Sequence, residues 1–188
     1  NTHYRWKDQR TRFYDEEAVN AFYMWKSTVV IPTGIVHDPF FYEYGPVALN
    51  YGGLGMVIGH ELMHAFDVTN VGDALSKSEE MKREYTKRAL CLRRSHRSVL
   101  SLTGQEDHLD DELDSENLAD FVGARLAYAA YASLPEDVKR MKLAGFDMSP
   151  EKLFFINQCS RVCAWSSVPK KHYAPFRSRC IVPLRNMP

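Results

Sequence analysis

Residues 48–66 read A-L-N-Y-G-G-L-G-M-V-I-G-H-E-L-M-H-A-F, and the stretch Gly59-His60-Glu61-Leu62-Met63-His64 inside them decides how the rest of the chain is read. The run from Ala48 to Phe66 is nearly uncharged, which predicts a helix buried on most sides. Gly52, Gly53, Gly55 and Gly59 weaken it as an isolated helix but let neighbouring elements pack closely. Residues four apart on a helix share a face, so the imidazoles of His60 and His64 point the same way and can share one cation. Glu61 follows the first His directly, which sets its carboxylate beside such a cation rather than on it. There it can take a proton from a metal-bound water. Two His and a Glu in an otherwise apolar helix are costly to bury unless something compensates them, and a metal does so.

A metal held this way needs a third protein ligand. The long pattern H-E-x-x-H-x-x-G-x-x-H is excluded, because it requires glycine and histidine where this chain has Asp67 and Asn70. The other arrangement draws a glutamate from a second helix. Glu116, in Glu116-Asn117-Leu118-Ala119-Asp120 and 52 residues after His64, is the best candidate. Taken alone, it could equally cap the start of its helix. Asp120 lies one turn beyond it on the same face, placed to accept the free ring N–H of a ligand histidine, first of all His60, and so fix its tautomer. His3, His37, His96 and His108 have no partner at ligand spacing and read as incidental.

Around this pair of segments the chain reads as mainly α with a small β component. Residues 19–31 (V-N-A-F-Y-M-W-K-S-T-V-V-I) are rich in β-branched and aromatic residues and predict strand. Pro32, Gly34, Pro39, Gly45 and Pro46 then break the chain into a loop carrying Phe40-Phe41. Residues 76–97 are highly charged and predict an exposed helix with a solvated face, and 104–114 read as an acidic connector. Helical periodicity resumes over 115–132, and Pro135 and Pro150 open two more helices. After Trp165 the chain is loop-like and basic. With 188 residues, 45% hydrophobic, there is enough for one domain with a sizeable core. Lys plus Arg and Asp plus Glu each number 24, so no basic excess points to nucleic acid or an anionic membrane. The chain carries no leader pattern and no run of about 18 apolar residues. Both ends read as cut. The four cysteines, Cys91, Cys159, Cys163 and Cys180, form no C-x-x-C pair, which argues against a thiolate zinc site.

Together these residues resemble the neprilysin and endothelin-converting-enzyme family of zinc peptidases, in its C-terminal catalytic region. The segments that carry the resemblance are Val19-Asn20-Ala21-Phe22-Tyr23, Ile31-Pro32-Thr33-Gly34-Ile35 with Pro39-Phe40-Phe41, and Ala48 through Glu61. Glu116-Asn117-Leu118-Ala119-Asp120, Leu153-Phe154-Phe155 and Cys163 continue it. The resemblance covers nearly all of residues 15–188, in the family's order. It implies a thermolysin-like zincin of the gluzincin type, with one zinc per chain on His60, His64 and Glu116 and with Glu61 as general base. It also implies that Asn20 and Ala21 hold the substrate backbone, which suits an edge strand able to pair with an extended peptide. The substrates would be extracellular oligopeptides. The enzyme would sit on the outer face of the plasma membrane, anchored by an N-terminal span outside these residues, or be secreted. By the same comparison, residues 1–188 are a partial C-terminal catalytic domain, without the family's N-terminal lobe and extreme C-terminus.

Two stretches depart from the family. After His64-Ala65-Phe66-Asp67 the family has a second aspartate and a Gly-Arg pair, where this chain has Val68-Thr69-Asn70-Val71-Gly72. The late motif H-x-P-x-x-x-R, whose histidine steadies the oxyanion, aligns on Pro175. That puts Arg179 on the substrate-binding arginine and Tyr173 on the histidine, with His172 one residue early. Either His172 or Tyr173 can hydrogen-bond an oxyanion. The alternative reading is a catalytically silent member serving as a peptide-binding or scaffold module; the altered late motif favours it, and intact His60, Glu61, His64, Glu116 and Asp120 favour the enzyme. The family's pairings give Cys91 and Cys163 partners outside this chain, which leaves Cys159 and Cys180 to pair with each other.

Overall fold

Pro46 opens the helical run on which the fold turns, in a computed structural model that describes residues 16–24, 28–67, 70, 77–100 and 111–160. Its ring holds φ at −54°, and a residue at the mouth of a helix has no intrahelical use for the missing N–H. The run passes through α1 (Val47–Asn50), a π-helical turn (Tyr51–Gly55), α2 (Met56–Met63) and a 3-10 turn (His64–Phe66). It stops at Asp67, whose ψ of 176° is extended. The predicted helix is therefore present, with a widened turn in its middle. A loop carbonyl is inserted at that point: the Leu54 N–H donates to Phe40 O at 2.7 Å. Gly53 makes the room, since a Cβ there would lie 2.3 Å from the same oxygen. A carbonyl drawn into the ladder is an ordinary cause of a π turn.

Three longer elements and one short one follow: α3 (Glu79–Leu100), α4 (Asp111–Ala132), α5 (Glu136–Lys139) and α6 (Pro150–Ser160). α5 and α6 begin at the prolines that predict them. The crossing of α2 over α4 is closest at two glycines. A Cβ on Gly59 would lie 2.7 Å from Gly123 O, and one on Gly123 would lie 2.6 Å from the His60 backbone nitrogen. The helices thus meet backbone to backbone, which brings the side chains one turn either side of the crossing within reach of each other. The main core lies beside it, built from Ala48, Leu49, Met56, Ala127, Tyr131, Leu153 and Phe154. Asn157, on α6, ties this core to the loop before α1 by donating to Pro39 O (2.9 Å) and Leu49 O (2.7 Å).

Four expectations from the sequence are modified. The 19–31 stretch is a hairpin rather than one strand. β1 (Phe22–Met24) pairs antiparallel with β2 (Thr28–Val30) in the register Phe22↔Val30, Tyr23↔Val29, Met24↔Thr28. Strand propensity is high on both sides of residues 25–27, which lie outside the described residues, and propensity does not mark where a ribbon reverses. The end of the predicted acidic connector is helical, because α4 already includes Asp111 to Asp114. Asp114 is 1% exposed and forms a two-point ion pair with Arg93 of α3, with Nε to Oδ1 at 2.9 Å and the outer nitrogen on Oδ2. One member of the "solvated" face of α3 is therefore buried. Lastly, the run from Ala48 to Phe66 is less enclosed than its lack of charge suggests: Leu62 and Phe66 are exposed.

No described helix is long and apolar enough to cross a membrane. Cys91 is exposed on α3. Cys180, the expected partner of Cys159, lies outside the described residues. An open apolar cleft of about 900 Å³, lined among others by Tyr42, Leu49, Phe146, Leu153 and Ile156, shares no residue with the histidine pair.

Candidate metal centre

His60 and His64 stand one turn apart on the same face of the run, with ring centroids 4.7 Å apart and planes at 85°. Each ring is tied at Nδ1 to a carboxylate: His60 to Asp120 Oδ1 at 2.8 Å, and His64 to Asp67 Oδ2 at 2.9 Å. A carboxylate only accepts, so both Nδ1 atoms carry hydrogen and both Nε2 atoms are directed away from their supports. The Nε2 atoms lie 3.0 Å apart. Glu116 closes the triangle from α4, with Oε2 3.4 Å from His60 Nε2 and Oε1 3.6 Å from His64 Nε2. Because α4 begins at Asp111, Glu116 lies in the body of the helix rather than at its cap.

This donor set fits a zinc ion. Zinc bound tetrahedrally at about 2.0–2.1 Å places neighbouring ligand atoms roughly 3.3–3.4 Å apart, and the three edges here bracket that value. Without metal the cluster holds a proton. Burial pulls the His60 pKa down, but Asp120 and then Glu116 outweigh it and hold it at about 9.

Glu61 points to the other side of α2 from solvent and is 6% exposed. One of its carboxylate oxygens lies within 4.8 Å of ligand nitrogens on both histidines. It accepts a hydrogen bond from the Tyr23 backbone in β1, so the hairpin holds the carboxylate in place. Burial raises its pKa, opposed by the two histidines and the Tyr23 N–H, with Glu116 adding to the rise. Ala21 is buried among Ile35 and Val57, so its side chain faces the core and only its backbone is available to a ligand. Asn20, beside it, is exposed. His172, Tyr173 and Arg179 lie outside the described residues.

The structure brings together four of the residues singled out from sequence, His60, His64, Glu116 and Asp120, with Glu61 beside them. It adds Asp67, which from sequence marks a departure from the long histidine pattern and the end of the family stretch His64-Ala65-Phe66-Asp67, with no role of its own. The signal was available: Asp67 follows His64 by three residues, close enough for a helix-ending turn to fold its carboxylate back on the ring. Asn70 belongs to the same turn. Its N–H donates to Asp67 Oδ1 (2.8 Å) and its Nδ2 to His64 O (2.8 Å).

A mainly helical unit with a small sheet and an H-E-x-x-H helix crossed by a second, acidic helix is the fold of a thermolysin-like zincin. Residues 20–188 match the model of Peptidase family M13. The chain is 33% identical to human membrane metallo-endopeptidase-like 1 over 187 residues, covering 90% of this chain and 24% of the relative. It is 31% identical to neprilysin-3 of Drosophila melanogaster, over 91% of this chain and 24% of that protein. Among solved structures it resembles a Mycobacterium tuberculosis zinc metalloprotease crystallised with an inhibitor, at a TM-score of 0.66 and 23% identity, over 96% of this chain and 30% of that one. The last likeness speaks to fold alone. The chain belongs to peptidase family M13, the neprilysin and endothelin-converting-enzyme family, and spans about a quarter of the length of the curated relatives it matches.

Proposed function

We propose that this chain is part of the C-terminal catalytic domain of a zinc metalloendopeptidase that hydrolyses extracellular oligopeptides. His60, His64 and Glu116 would hold one zinc per chain. The observation that carries the reading is the convergence of the two Nε2 atoms with the Glu116 carboxylate while Glu61 stands buried beside them. When bound, zinc supplies a Lewis acid that lowers the pKa of a water to about 7 and polarises a carbonyl.

The remaining work falls to the chain's own groups. Glu61 takes a proton from the attacking water on a carboxylate oxygen and later gives it to the leaving amine nitrogen. Its burial suits the first half of that task, since a raised pKa makes the carboxylate a stronger base. Asp120 and Asp67 keep the two rings in the tautomer that leaves Nε2 free to bind. The hairpin fixes Glu61 through the Tyr23 N–H, and its exposed start at Asn20, with the Ala21 backbone, would bind an extended peptide by strand addition. His172 or Tyr173 would support the oxyanion and Arg179 a substrate carbonyl. The enzyme would act outside the cell, anchored through a segment beyond residues 1–188 or secreted.

The test uses the full-length protein. Purified wild type should contain one zinc per chain, largely lost in His60→Ala, His64→Ala or Glu116→Ala. Glu61→Gln should keep the zinc and lower peptide turnover by about a hundred- to ten-thousandfold. Near-normal kcat in that variant would mean another group is the base.

A further inference from the structure

Asn70 stands in the stretch where the chain leaves the family pattern, three residues beyond Asp67. The helical run ends at Phe66, and a helix end leaves carbonyls without intrahelical partners. Asn70 adds to one at that end, donating from Nδ2 to His64 O at 2.8 Å beside the long bond this oxygen accepts from the Asp67 N–H at 3.5 Å. The same residue holds the aspartate that supports the His64 ring. Asp67 Oδ2 accepts from His64 Nδ1, and its other oxygen accepts from the Asn70 backbone N–H at 2.8 Å and from Asn70 Nδ2 at 3.2 Å. One side chain therefore grips both the main chain of His64 and the carboxylate that orients the His64 ring. The Tyr85 hydroxyl of α3 donates to Phe66 O at 3.0 Å, a second tie on the same turn.

Resting on the reading of His64 as a metal ligand, we propose that Asn70 is a positioning residue of the metal centre. It locks Asp67 against His64 Nδ1 and thereby aims His64 Nε2 at the metal. The role needs an amide. Nδ2 faces only acceptors, a carbonyl and a carboxylate oxygen, so an aspartate of the same shape would set a negative charge against both. Size and chemistry can then be separated by two substitutions. Asn70→Ala removes the side-chain donor but keeps the backbone N–H to Asp67; Asn70→Asp keeps the shape and reverses the polarity.

The experiment is zinc affinity of the full-length protein by chelator competition at fixed pH, with the visible spectrum of the cobalt(II)-loaded protein as a report on ligand geometry. The unfolding midpoint of the metal-free protein is the control. Partners behind a ligand typically set metal affinity by about ten- to a hundredfold. Asn70→Asp should fall in that range, and Asn70→Ala, acting through Asp67, should cost roughly three- to tenfold. Both should shift the cobalt bands while moving the metal-free midpoint little. Wild-type affinity and an unchanged cobalt spectrum in Asn70→Asp would overturn the proposal, as would a lowered midpoint with affinity intact, which marks a merely structural turn. If the wild type itself binds no zinc, the reading of the centre falls with it, a result distinct from failure of Asn70 alone.

Discussion

His60 and His64 stand one turn apart and are held in opposite ways. The support of His60 is remote: Asp120 lies 60 residues away, on a helix that reaches it only because Gly59 and Gly123 let two backbones touch. The support of His64 is local: Asp67 is three residues on, and Asn70 braces it from the same turn. One ring depends on the tertiary packing of α2 on α4. The other depends on how a helix ends. The difference teaches that two histidines on one face can have unequal vulnerabilities. Damage to the interhelical packing should strike His60 and Glu116 together and leave the His64 arm comparatively intact.

The largest expected effect breaks the remote arm from a distance. Arg93 and Asp114 are 5% and 1% exposed, and their ion pair joins α3 to the start of α4, two residues before Glu116. Asp114→Ala removes the carboxylate that faces a buried guanidinium, and loss of one partner of such a pair typically costs about 3–5 kcal/mol. Chemical unfolding should show that loss; a variant as stable as wild type would mean the pair is solvated in solution.

Gly123→Ala attacks the crossing itself. The added methyl meets the His60 backbone rather than a movable side chain, and forced overpacking costs about 1–3 kcal/mol. Zinc affinity should fall along with stability, because α4 carries both Glu116 and Asp120. Unchanged stability and affinity would show that the helices can part at no cost.

Asp120→Ala and Asp67→Ala sharpen the comparison directly. Each removes one Nδ1 acceptor and should weaken zinc binding by about ten- to a hundredfold. Combined with Gly123→Ala, the Asp120 change should be much less than additive and the Asp67 change close to additive, since only the former shares the disrupted contact. Equal coupling for both would erase the distinction between the arms.

A last test is pH. In the metal-free protein His60 is held at about 9, above its ordinary 6.5. A raised folded pKa means that the stabilisation is fully present below pH 6.5 and is lost as the pH rises through 9. Zinc has to displace the same proton, so apparent affinity should rise by about tenfold per unit across that window and level off above it. Asp120→Ala should move the levelling point to lower pH. A flat affinity profile in the wild type would mean that His60 is already neutral.

What could be read without coordinates follows a physical boundary. Two histidines at i and i+4 share a face by helix geometry alone, and Glu116 and Asp120 share one for the same reason, so both pairs were visible as spacings. Pro135 and Pro150 announced their helices because the ring fixes φ whatever surrounds it. The reversal between β1 and β2 was not visible, since strand propensity is equally high on both sides of it. Nor was the π turn, which depends on a carbonyl from the loop at Phe40. Arg93 and Asp114 looked like members of a solvated face and an acidic connector, because charge pattern alone cannot tell a buried pair from two exposed residues.

By itself, then, the sequence determined the local chemistry: an imidazole pair with a carboxylate beside it, a second acidic helix, and the family to which they belong. Tertiary structure alone decided that these pieces meet. The meeting rests on two glycines 64 positions apart, Gly59 and Gly123, whose missing side chains have no local consequence and matter only when one backbone lies against the other. Local rules are written in the spacing of neighbouring residues. A contact between backbones leaves only an absence in the sequence, and its meaning appears once both helices are in place.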